Sequence, residues 1–98
     1  MAENDFPLPP PTFEFLVFSL KTQAEMRLGL LKLGNEQDET PDLSAARHAI
    51  DLLSMIHEKT RNNLSLEEQR LLENSLTELR FRFVQVSDEA GKAAAPSA

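Results

Sequence analysis

Residues Glu58 to Gln69 read EKTRNNLSLEEQ, a polar stretch between two segments whose apolar residues recur at helical spacing. Its parts have separate structural jobs. Lys59 and Thr60 close one helix, with the lysine at the negative end of the dipole. Asn62 or Asn63 takes the left-handed conformation that stops it. Leu64 then precedes SLEE, a capping box with Ser65 at the N-cap and Glu68 three residues on. The stretch is therefore a corner, and it joins two helices through Arg61 to Leu64 as an antiparallel hairpin.

Upstream of the corner, Leu43, Ala46, Ala49, Ile50, Leu53 and Ile56 form one stripe, with His57 and Thr60 in line. Thr40 is the expected N-cap of this second helix, with Pro41 at its first position. Downstream, Leu72, Leu76, Leu79, Phe83 and Val86 follow the 3–4 spacing of a helix–helix seam. The alternating RFRFVQV beyond Arg80 also reads as a strand, and a third helix fraying near Phe83 is the favoured reading.

The first helix is expected to start after Thr12 and to end near Leu33, with Lys32 in its last turn and Gly34 just past the end. Phe13, Leu16, Val17, Leu20, Ala24, Leu28 and Leu31 share one face. Phe15, Phe18, Met26, Leu30 and Leu33, with Gly29 among them, make a second. A helix apolar on two sides buries both. Two short helices cover one side, so the second face is the expected docking surface for another chain.

The expected fold is thus all-α, with three helices spanning residues 12–86. The acidic, proline-rich start (1–11) and the small-residue end (87–98) are expected to be disordered tails. A folded part of that size is often marginal alone. The 98-residue chain has no cysteine, so self-association is the common remedy left.

A net charge of −6 disfavours nucleic acid, because phosphate binding draws on clustered cations. Six Phe without Trp or Tyr supply few stacking platforms. The longest apolar run, FLVFSL, is far short of the ~20 residues of a membrane span, and MAEND is acidic where a signal peptide is basic. A cytoplasmic location is the expectation.

His57 sits on an apolar face, and a core histidine with hydrogen-bond partners is the preferred reading over a catalytic base or ligand contact. His48, nine residues earlier, lies about half a turn round the same helix, so the two cannot share a metal. Arg27 and Arg80 are read either as stems laid along apolar surface and paired with Asp51, Glu58 or Glu73, or as contacts to an anionic ligand. No metal spacing, phosphate loop or activated nucleophile is present in the sequence, so neither an enzyme nor a cofactor is expected. The preferred function is a non-catalytic interaction module, a homo-oligomer or accessory subunit. The alternative is a small-molecule binder with its ligand near Arg27, His57 and Arg80.

SLKTQAEMRLG (Ser19 to Gly29) and AIDLLSMIHEKTRNNLSLEEQRLLENSLTELRFRFV (Ala49 to Val84) resemble a family of bacterial proteins designated domain of unknown function 1844. The KT-x-x-NL-x-x-EE run and the following ELR carry the resemblance. The family usually has Gly where this chain has Asn62, and Asn is the next residue able to hold the same turn. The resemblance implies a helical bacterial protein and brings no activity, cofactor or catalytic residue.

Overall fold

The first two helices of this chain start and stop, and the third starts, for chemical reasons that can be named residue by residue. The computed structural model describes residues 8–31 and 40–94, and all regular structure among them is helical: α1 (Phe13–Arg27), α2 (Leu43–Lys59) and α3 (Leu66–Ala94). Thr12 caps α1 as expected, its hydroxyl accepting the Phe15 N–H at 3.0 Å. The helix ends at Arg27, six residues short of the expected Leu33. Gly29 takes φ 80°, its N–H bonds the Met26 carbonyl at 3.0 Å, and the Leu30 N–H bonds the Glu25 carbonyl at 2.9 Å. That pair of bonds is a Schellman stop, and a glycine in the left-handed region is what it requires. Leu30 and Leu31 therefore follow the helix instead of belonging to it, while Lys32, Leu33 and Gly34 lie outside the described residues.

The expected Thr40 cap is also corrected. Asp42 is the N-cap of α2, and its carboxylate accepts the Ala45 N–H at 3.0 Å. The Asp42 N–H in turn donates to the Arg27 carbonyl at 2.8 Å, tying the start of α2 to the last turn of α1. A tertiary bond thus selects Asp42 over a Thr-Pro pair that local preference alone would choose.

At the corner the expectation holds in detail. The Thr60 hydroxyl donates to the Ile56 carbonyl at 2.7 Å, and Asn62 adopts φ 65°. Ser65 Oγ accepts the Glu68 N–H at 3.1 Å, and Glu68 Oε1 accepts the Ser65 N–H at 2.9 Å. Both halves of the capping box are therefore made. Ser65→Ala should lose ~1 kcal/mol in chemical denaturation, whereas Asn62→Gly should be neutral or mildly stabilising. α3 then runs without fraying through Phe83, and no strand forms there. It passes Val86 to Ala94, and its small and charged residues keep good helix propensity even where they bury little.

The three helices run up, down and up. Arg27 and Gln23 of α1 lie beside Ala45, Ala49 and Leu52 of α2. His57 of α2 meets Glu73 of α3, and Lys21 of α1 meets Glu78 of α3 at 3.1 Å. Val17, Ala24, Ala49, Ile50, Leu53, Leu72, Leu76 and Leu79 form the buried cluster. Phe13, Leu20, Ile56, Leu64, Leu71 and Phe83 pack round it. At 1.5 Å per residue, α3 is about 44 Å long and α2 about 26 Å, so the last turns of α3 extend past the hairpin.

Candidate functional site

The outer side of α1 is apolar and left uncovered along three turns. Val17, Ala24 and Leu28 turn inward and are buried. At 100° per residue, Phe15, Phe18, Ser19, Thr22 and Met26 then fall on the opposite arc, and no charged residue of α1 falls among them. Phe18 is 60 % exposed, Phe15 40 % and Met26 41 %. Leu30 is exposed just past the helix, and Leu33 of the expected set lies outside the described residues. Leu16 and Leu31, expected on the buried face, are exposed as well. A second exposed apolar pair was not expected: Phe81 and Val84 point outward from α3, opposite the side carrying Leu79. Their alternation with Arg80 and Arg82 invited a strand reading, and this obscured their place on the outer face of a helix.

Arg27, His57 and Arg80 are not brought together. Arg27, at the end of α1, is exposed beside His48, Ala49 and Leu52. Wound as a helix, Arg27 falls beside the apolar face of α1, and the structure leaves it exposed where the helix ends. His57 lines a concavity of about 220 Å³ at the corner, with Thr60, Asn62 and Leu64. Arg80 lines another, of about 320 Å³, with Arg47, Ile50 and Phe83. In place of the acidic partners considered for it, Arg80 donates to the Ser54 hydroxyl at 3.3 Å. Arg47, itself exposed, lies over the Phe83 ring at 5.9 Å from its centroid.

His57 is half-buried and takes the structural role. Its Nε2–H donates to Glu73 Oε2 at 3.1 Å, and the same oxygen accepts from the Gln69 amide at 3.2 Å. The His57 hydrogen bond, with that of Gln69 next, holds the Glu73 carboxyl below its ordinary pKa of 4.5. A depressed carboxylate stabilises the fold above its unfolded pKa, and this is lost as pH falls through the lower folded value. Glu73→Gln should therefore lower the melting temperature at pH 7 and leave it nearly unchanged in acid well below pH 4.5, flattening the acid limb of the thermal stability profile. An acid limb identical to that of the parent chain would remove Glu73 from the account.

Among the described residues no group of three His, Asp or Glu side chains is placed to hold a metal ion, and no helix is long and apolar enough to cross a membrane. No curated protein and no solved structure matches the chain. The corner with its left-handed Asn62, the complete capping box, α1, α2 and α3 as far as residue 85 lie within residues 10–85, the span matched by one family model. The chain belongs to that family, described as Domain of unknown function (DUF1844).

Proposed function

We propose that this chain is a non-catalytic interaction module that docks another protein surface through the outer face of α1. The observation that carries the reading is the uncharged arc of Phe15, Phe18 and Met26, exposed although α1 packs on both other helices. Exposed aromatic area that contributes nothing to the core of its own chain costs solubility and marks contact surfaces. Interface centres are likewise depleted in charge and enriched in aromatics and Met.

Light scattering on a sizing column, paired with binding of a hydrophobic dye, tests the reading. The expected result is a mass above 11.0 kDa or, for a chain kept from its partner, dye binding that Phe18→Asp strongly reduces. Because Phe18 lies outside the core, that variant should melt within a few degrees of the parent. A stable monomer that binds no dye would overturn the proposal.

A further inference from the structure

We infer that the partner is a second copy of this chain, with α1 crossing α1 at Ser19 and Thr22. The inference rests on the reading of α1's outer face as a docking surface, and it identifies what covers that face. Phe15, Ser19, Thr22 and Met26 follow one another at spacings of four, three and four, which read the same in both directions. Large residues stand at the two ends and small ones in the middle. Two such faces fit each other: the small pair lets the helices approach at the crossing point, and the large residues fill the diverging ends.

The surface already has the relief that such a crossing needs. Ser19, Thr22, Gln23 and Met26, at i, i+3, i+4 and i+7, line a shallow concavity of about 350 Å³ on α1, together with Leu16, Leu20 and, outside the uncharged arc, Arg27. These are the four corners of a hole in knobs-into-holes packing, and Phe15 and Phe18 supply knobs on the same arc. Of the two hydroxyls at the crossing, that of Ser19 donates to the Phe15 carbonyl at 2.9 Å, so its burial leaves that donor paired.

Charge points the same way. Two copies carrying −6 each repel, and they meet most easily where neither presents a charge. Glu14, Lys21, Glu25 and Arg27 all fall outside the arc.

The absence of native cysteine makes the test direct. Full-length Thr22→Cys and Ser19→Cys are oxidised at micromolar concentration beside Phe81→Cys, which samples the exposed face of α3, and circular dichroism checks that each retains its helix content. The expected result is a disulfide-linked dimer for Thr22→Cys and Ser19→Cys and little for Phe81→Cys, with a parent mass of twice 11.0 kDa. Thr22→Arg should halve that mass at unchanged helix content. A dimer that links at Phe81→Cys, or at none of the three positions, overturns the inference. So does a monomer that binds hydrophobic dye, although it leaves the docking surface standing. A monomer that binds no dye overturns both.

Discussion

Leu53→Ala should lose about 2–5 kcal/mol, the largest effect of any single truncation considered for this chain. Leu53 is fully buried at the middle of α2. On one side of it Ala49 and Ile56 turn toward α1, and on the other Ile50 and His57 turn toward α3, so its side chain belongs to both seams. Removing it takes apolar area from the cluster and leaves a cavity that two neighbouring helices would have to collapse into. Ten apolar residues are buried among the described residues, so the margin is small. At about 4–8 °C per kcal/mol for a domain of this size, the melting temperature should fall by ten degrees or more. Urea denaturation followed at 222 nm provides the check. A loss below about 1 kcal/mol would mean that α1 and α3 do not both seat on Leu53.

Ala24→Leu should destabilise by about 1–3 kcal/mol through the opposite fault. Ala24 of α1 is fully buried in the same cluster as Ala49 of α2, and these small side chains let the two helices lie close. Leu has nearly the helix propensity of Ala, so the change leaves α1 intrinsically as helical as before. Any loss then reports packing between the helices alone. The added methyl groups must push α1 outward, which also pulls the Arg27 carbonyl from the Asp42 N–H. If Ala24→Leu melted with the parent chain, the close approach of α1 and α2 would be refuted.

Much of this fold is legible before any coordinates. The stripes of α2 and α3 are spaced regularly enough to separate buried from exposed positions, and SLEE names its own bonds. The failures concern features that periodicity does not encode. Leu30, Leu31 and Leu33 continue the apolar rhythm of α1 past Gly29, so the rhythm runs through a stop that only a positive φ reveals. Thr40 and Asp42 are both good cap residues, and a carbonyl fifteen residues upstream decides between them. The acidic, alanine-rich end was read as unable to bury a core, which is a statement about packing. α3 continues there on propensity. As for the site, Phe15, Phe18 and Met26 were recognisable because a single chain of this size has too few helices to cover two faces of α1. The pairings of Arg80 with Ser54 and of Arg47 with Phe83 were not, since long side chains choose partners by the register of α2 against α3.

The bond between the Asp42 N–H and the Arg27 carbonyl has a practical consequence for anyone who alters this protein. It closes the neck of the α1–α2 connection at its base, so the helices are held in register by their own ends and not by the chain between them. Lengthening a connection closed in this way adds only about 0.6 kcal/mol for each doubling of its length. Residues 32–39 are therefore the natural place to splice in an epitope, a fluorescent label or a protease site. Such an insertion leaves the outer arc of α1 clear, where a fusion to a bulky partner at Leu16 or Met26 would not.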